Sequence, residues 1–339
     1  MRVHIANNYP LAEAQRLVGL GHYPAQHLWG IPELDAAGFA PVLVPAPTPP
    51  SRLRGRVEPW TGDLWQSWSA LRRSRRGEIL YAADAGSLRP LALARLLGVP
   101  RRAVVHVQHH LPGPSALAAA AVRGSDLVVC LSGLVAAECR RYRTRRDPDT
   151  VVSLPWGPDA AFEGYAPTPR PPSYDVVSVG KTARDIDTLV TALTLVGASG
   201  VVYGRTAAAP DRVRLVDTAL HTPFLSTLEH VASARIVVIP LLRSDRLAGL
   251  TELADSLAMG KPVIMTRSPF IDLDVEALGC GLWVEPRDPR GLATAIAELL
   301  ADDGRRLEMG RNGRQIVDEG WNAAAFGMGL ASAFARLVG

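Results

Sequence analysis

Gly249-Leu250-Thr251-Glu252-Leu253-Ala254-Asp255-Ser256-Leu257-Ala258-Met259-Gly260-Lys261-Pro262-Val263-Ile264-Met265-Thr266 is the stretch whose reading decides the fold. It reads as a loop, a short helix and a buried strand. Gly249 lets the backbone approach a ligand closely, and Thr251 is suited to be the helix N-cap, with acidic residues following in the first turn. Glu252 and Asp255, at i and i+3, share one helix face. Leu253 and Leu257 share a neighbouring apolar face. Gly260 suits the position just past the helix, and Lys261-Pro262 stops it from continuing. Val263-Ile264-Met265 has the pattern of a strand buried on both faces. The free N–H groups at Leu250-Thr251 could hold a phosphate; the same pattern also fits an ordinary αβ unit.

Composition sets the class. The chain has 339 residues, 47% hydrophobic and 21% charged, which suits a globular protein long enough for two domains. No apolar run reaches the roughly 18 to 20 residues of a membrane span. The N-terminus starts as a strand, Val3-His4-Ile5-Ala6, without the apolar core of a signal peptide, so a cytoplasmic location is expected. Cys130, Cys139 and Cys280 have no metal-binding spacing. The formal charge of +4 suits an anionic small ligand or a membrane surface and does not argue for nucleic acid.

Short β and α units alternate from the N-terminus onward. Strands are expected at 3–6, 41–45, 79–83, 103–108 and 126–132. Helices are expected at 26–37, around Trp65, Trp68 and Leu71, at 91–97, at 115–122 and from Gly133. Asn7 to Pro10 reads as a turn, Leu17 to Pro24 as a glycine-punctuated loop, and 45–56 as an exposed Pro- and Arg-rich loop. This alternation predicts a parallel, doubly wound sheet with ligand groups on loops at the carboxyl ends of strands. After Leu154-Pro155-Trp156-Gly157-Pro158 and a polar, proline-rich stretch from Tyr165, the pattern restarts at Tyr174–Gly180. A loop (Lys181–Asp185) and a helix (Ile186–Leu195) follow. Further strands are expected at 200–205, 235–240 and 281–284, with helices at 225–234, 289–300 and in the tail.

The ordered pieces "LPWGPDAAF", "VVSVGKTARDIDTLVTAL", "GLTELADSLAMGKPVIMT" and "GLWVEPRDPRGLATAIAELLAD" resemble a retaining GT-B glycosyltransferase of the family-4 type. "SDLVVCLSGLVAAEC" is similar to that family's last N-terminal unit. The resemblance implies an α/β GT-B fold with two Rossmann-like domains facing a central cleft. Residues 1–158 would be the acceptor-side domain and 159–315 the nucleotide-sugar domain, with a C-terminal helix within 316–339 crossing back to the first domain. It implies transfer of a sugar from a nucleotide-diphosphate donor to an acceptor hydroxyl with retention. No metal or other cofactor is expected: the Asp-x-Asp at Asp272-Leu273-Asp274 reads better as a helix start or surface feature.

By the same resemblance, Gly180 leaves room for the diphosphate, and Lys181 and Arg184 bind its oxygens and stabilise charge on the leaving group. Asp185 either caps the next helix or touches ligand. Gly249, Leu250 and Thr251 bring backbone N–H groups to phosphate, and Asp255 accepts hydrogen bonds from ribose hydroxyls. The acidic residue usual eight positions earlier is here Leu247; Glu252 or Asp245 could contribute instead, or the change alters sugar specificity or activity. In the first domain His109 is the candidate to face the donor sugar, with His110 as its one-residue alternative and His106 a core histidine. Gly19, Gly21 and His22 resemble a loop approaching donor phosphate or acceptor, and His27 and Trp29 line an acceptor cleft or pack a helix. Trp60, Trp65 and Trp68, with Arg72, Arg73, Arg75 and Arg76, read as an amphipathic helix with the tryptophans packed on the first sheet, a peripheral membrane contact being the other reading. Acceptors could be natural products, glycans or lipids. A sugar-nucleotide epimerase or phosphorylase and a non-catalytic nucleotide-sugar-binding homologue stay open beside the transferase.

Overall fold

The computed structural model describes residues 1–45, 62–99, 101–113, 115–143, 148–166, 171–218, 222–243 and 245–338. Trp60 and residues 46–56 of the Pro- and Arg-rich loop lie outside the described residues. The chain divides into two compact units. The first comprises Met1–Gly19, Ala25–Trp156 and Ala323–Gly339, and the second Leu20–Pro24 and Gly157–Asn322. Each is a six-stranded, wholly parallel sheet flanked by helices.

In the first unit β1 (Arg2–Ala6), β2 (Ala40–Leu43), β3 (Ile79–Ala82), β4 (Ala103–Gln108), β5 (Leu127–Cys130) and β6 (Val151–Ser153) lie in the order β2-β1-β3-β4-β5-β6. Strand order therefore reverses beside β1, between β1 and β3. Runs such as Ile79-Leu80-Tyr81-Ala82 are fully buried, as strands covered on both faces must be. The helices are α1 (Leu11–Gly19), α2 (Ile31–Ala36), α3 (Leu64–Arg73), α4 (Arg89–Arg95), α5 (Ala116–Gly124) and α6 (Gly133–Arg141).

Three expectations for this unit need correction. The loop read at 17–24 begins inside α1, which runs from Leu11 to Gly19 and fully buries only Leu11 and Ala14. The single helix expected over 26–37 is instead a 3₁₀ turn, Ala25–Leu28, followed by α2. Trp29 (φ 55°) and Gly30 (φ 81°) are both left-handed and break the helix between them. Lastly, Trp65 and Trp68 do not pack on the sheet: α3 buries Gln66, Ser67 and Ala70 and leaves both indoles more than half exposed.

The second unit orders its strands β12-β11-β10-β7-β8-β9. They are β7 (Tyr174–Ser178), β8 (Gly200–Tyr203), β9 (Val213–Val216), β10 (Ala234–Ile239), β11 (Val263–Thr266) and β12 (Gly281–Val284). β9, a half-buried edge strand, was not foreseen; Arg214 interrupts its apolar pattern. The helices are α7 (Ile186–Val196), α8 (Phe224–Ala232), α9 (Leu250–Ala258), α10 (Pro289–Ala301) and α11 (Asp303–Asp318). The chain runs β7 to β8 to β9 on one side and then crosses β7 to β10 on the other, so the order reverses between β7 and β10. α7 and α10 cover one face with Leu189, Leu193, Leu292 and Ile296.

α12 (Ala323–Val338) returns to the first unit. It crosses α2 where a Cβ on Gly30 would lie 3.2 Å from Gly327 Cα, and one on Gly327 would lie 2.2 Å from the Glu33 carboxylate. Its Phe334, fully buried, meets Tyr81 at 5.4 Å and Phe39 at 5.9 Å between ring centroids. Phe334→Ala is expected to destabilise the first unit by about 3–5 kcal/mol, measured as a shift of its denaturant-unfolding midpoint.

Candidate functional site

In an open parallel sheet, ligands sit outside the carboxyl ends of strands where the order reverses. In the second unit that point lies beyond β7 and β10. Gly180 follows β7, and the loop from Pro240 follows β10. The two loops are stitched together: Leu242 N–H donates to Ala183 O and Asp185 N–H to Pro240 O, each at 2.9 Å. Leu241 N–H donates to Thr266 Oγ1 at 2.9 Å, which adds the end of β11. Ala183 is left-handed (φ 52°), a strained conformation that these bonds hold in place.

Helix α9 begins at this place. Its N-cap is Gly249, not Thr251, because the chain enters the helix at φ 80°, where a side chain is strained. A Cβ there would also lie 2.8 Å from Ile239 Cγ2 and 2.9 Å from Met265 Cε. Thr251 is exposed one turn in, and no side chain caps the helix. The first intrahelical bond runs from Leu253 N–H to Gly249 O, so the N–H groups of Leu250, Thr251 and Glu252 point out of the helix N-terminus.

Glu252 does not point to solvent. Its buried carboxylate accepts from Val179 N–H at 2.7 Å through Oε1, and from Arg184 Nη2 at 2.8 Å and Nε at 3.2 Å through Oε2. Arg184 Nη1 donates to Thr182 O at 2.6 Å. The guanidinium, with its side chain only 7% exposed, lies across Gly180, where a Cβ would come within 2.1 Å of it. Gly180 is therefore required by Arg184 itself, not only by any ligand. Lys181 next to it is exposed. Asp245 stays at the surface, bridged to Arg243 and Arg246, and Leu247 is buried. Asp185 caps α7, accepting from Thr188 N–H and Oγ1.

Asp255 is buried one turn after Glu252, and its Oδ1 accepts from Tyr165 Oη at 2.5 Å. Tyr165, read from sequence as the start of a linker, is 3% exposed and packs in an aromatic group with Phe162 and Phe224. Tyr23 joins them edge-on to Phe224 at 5.0 Å. Burial, and then the charge of Asp255, push its phenol up to about 12. The Leu20–Pro24 segment, carrying the exposed Gly21 and His22, thus groups with the second unit, whereas the sequence reading had it in the first. Nothing local foretold the Tyr165 contact, since 90 residues separate the partners.

In the first unit His109 lies just past the end of β4, with its ring edge-on to Trp29 at 5.2 Å. Burial lowers its pKa to about 4, against an opposing pull from Asp84. His110 is exposed. Trp29 also stacks on Trp156 at 5.6 Å and donates from Nε1 to Tyr9 Oη at 2.7 Å, which in turn donates to His27 O at 2.6 Å. His106 is a core histidine, bonded to Ser125 Oγ at 2.8 Å and Gln108 Oε1 at 3.1 Å. In the second unit Asp274 caps its own turn at Glu276 and Ala277 and accepts from Trp283 Nε1. A groove of about 440 Å³ lined by Glu276, Leu282 and Met309 among others holds none of the candidate donor-site residues.

With this geometry in hand, the likenesses can be weighed. The sucrose-phosphate synthase of Thermosynechococcus elongatus superposes with a TM-score of 0.72, at 18% identity over 99% of this chain and 98% of its own. HepE of Anabaena, solved with UDP-glucose, gives 0.65 at 14% identity over 99% and 100%. WaaG, a glycosyltransferase involved in lipopolysaccharide biosynthesis, gives 0.59 at 14% over 94% and 95%. At such identities the likeness establishes the fold, which is GT-B. Residues 174–302, within the second unit, match the family model described as "Glycosyl transferases group 1". A search of curated proteins finds no match.

Two predictions follow from the charges. Glu252→Gln leaves Arg184 buried without a counter-ion and is expected to cost about 3–5 kcal/mol, while Glu252→Gln with Arg184→Met costs less than the two singles summed, in a double-mutant cycle by denaturant unfolding. His106 is pushed down to about 4 by burial, first of all, so the unfolded chain binds a proton there between pH 6.5 and 4 that the folded chain refuses. Stability should fall as pH drops through that window, by up to about 1.4 kcal/mol per pH unit for each such histidine. His27 and His109 act in the same direction. Thermal midpoints measured across the window should fall, and less steeply in His106→Gln.

Proposed function

We propose that the protein is a glycosyltransferase that takes its sugar from a nucleotide-diphosphate donor bound at the β7–β10 switch point and transfers it to a hydroxyl with retention. The observation that carries this reading is the meeting of the Gly180–Arg184 loop with the uncapped N-terminus of α9, inside the segment that matches the group 1 family model. Solved GT-B structures of HepE in complex with UDP and with UDP-glucose make a UDP-sugar the first donor to test.

In this reading the N–H groups of Leu250 and Thr251 and the Lys181 ammonium meet the diphosphate first. They stabilise the charge that grows on the leaving group as the anomeric bond breaks, so the step needs no metal. Arg184 adds its charge from behind, oriented by Glu252. Asp255 binds the ribose hydroxyls and exchanges its Tyr165 contact in doing so. His109, neutral above about pH 4, hydrogen-bonds a hydroxyl of the transferred sugar. The departing phosphate takes the acceptor's proton on the face it leaves, which gives retention. A natural product, a glycan or a lipid can supply the hydroxyl.

The test is a panel of nucleotide sugars with and without chelator, reading released nucleoside diphosphate and the anomeric configuration of the product. A metal-independent, configuration-retaining transfer is expected. Asp255→Ala and Lys181→Ala should weaken donor binding by roughly tenfold or more, the worth of one charge-assisted hydrogen bond. Unchanged affinity in both would refute the donor site. Donor binding without hydrolysis or transfer would favour the non-catalytic reading that buried Leu247 raises.

A further inference from the structure

Helix α3 is built inside out. Its inner face carries polar groups: Gln66, fully buried, donates to Asn7 O at 2.9 Å, and Ser67 donates to Ser87 O at 3.1 Å. Its outer face carries the large apolar groups, with Leu64 58%, Trp65 59% and Trp68 55% exposed. At 3.6 residues per turn, Leu64, Trp65, Trp68 and Arg72 fall on one stripe. The fold gains nothing from indoles in water.

The charge beside the stripe has one sign. Arg72, Arg73, Arg75 and Arg76 follow at the helix end, all exposed, and none forms an ion pair among the described residues. The nearest acidic group in sequence, Glu78, turns inward to His4 Nε2 at 2.7 Å and accepts from Arg75 N–H. A second segment widens the same edge. Arg102 donates to Ser74 O at 2.7 Å and Gly77 N–H to Arg101 O at 3.4 Å, which brings the exposed Arg101 alongside.

We propose that this face, centred on Trp65, Trp68, Arg72, Arg75 and Arg76, docks the protein peripherally on an anionic lipid bilayer. Indoles settle at the headgroup level of a bilayer, with the ring in the acyl boundary and the N–H in the wet layer. Arginines on flexible stems reach headgroup phosphates beside them. No described helix is long and apolar enough to cross a membrane, so the contact lies in the plane of the surface. The inference uses none of the donor-site residues and stands or falls apart from them.

The experiment is sedimentation of the full chain with vesicles of mixed phosphatidylcholine and phosphatidylglycerol, against pure phosphatidylcholine. Binding is expected to the anionic vesicles and to weaken as salt rises. Arg72→Gln with Arg75→Gln and Arg76→Gln should weaken it roughly a hundredfold, at about fivefold for each arginine. Trp65→Ala with Trp68→Ala should abolish it. Both variants alter exposed side chains and should keep the thermal midpoint, and donor binding, of the parent. Failure of the parent to sediment, equal binding to pure phosphatidylcholine, or binding that survives both variants overturns the proposal. Self-association without vesicles that Trp65→Ala with Trp68→Ala removes would assign the face to a second copy and overturns it too.

Discussion

The carboxylate of Glu252 is the constraint on which the second unit's switch point depends. One oxygen takes the N–H of Val179 at the end of β7, and the other takes the guanidinium of Arg184 from the following loop. Neither partner could be left buried and unpaired without a cost of several kcal/mol. The carboxylate therefore sets where the loop runs, why position 180 is glycine, and how the first turn of α9 faces the end of the strand. Glu252 has both carboxylate oxygens engaged by Val179 N–H and the Arg184 guanidinium.

That commitment shapes the electrostatics of the site. Arg184 enters as part of a neutral pair, so the positive field at the end of β7 comes from the exposed Lys181 and from the helix N-terminus. Asp255 is likewise occupied, by Tyr165. An anion would meet a surface whose buried arginine is already paired and whose outermost groups are cationic or N–H donors. Binding there needs no rearrangement of the buried pair.

The first unit solves a similar problem with aromatic packing. Trp29 pays a backbone cost of about 1–3 kcal/mol for its left-handed conformation. It is held by Trp156, Tyr9, Phe326 and the Tyr81 hydroxyl on its carbonyl. The result is a rigid indole against His109, and a dry environment that keeps that imidazole neutral. α3 shows the opposite economy. There the core takes the polar side chains, and the apolar ones are left for whatever lies outside.

The alternation of strand and helix, the restart at Tyr174 and the Gly249–Thr266 unit were legible in the residues, because burial on both faces leaves unbroken apolar runs and helix ends leave glycine and proline marks. So was His106 in the core, governed by neighbours in its own and the next strand, whereas Asp185 stayed open between cap and ligand contact until Thr188 was seen on it. What escaped were features settled by distant partners: Tyr165 on Asp255, Glu252 on Arg184, Trp29 breaking a helix against Trp156, and the outward turn of Trp65 and Trp68. Periodicity shows that α3 has two faces but not which one meets the sheet; Gln66 reaching Asn7 decides that. The sequence by itself determined the class of fold and the loops that carry the site, since those follow from local pattern. Only the tertiary structure decided which charges in those loops are spent on the protein and which are left for a ligand, because pairing depends on distance in space.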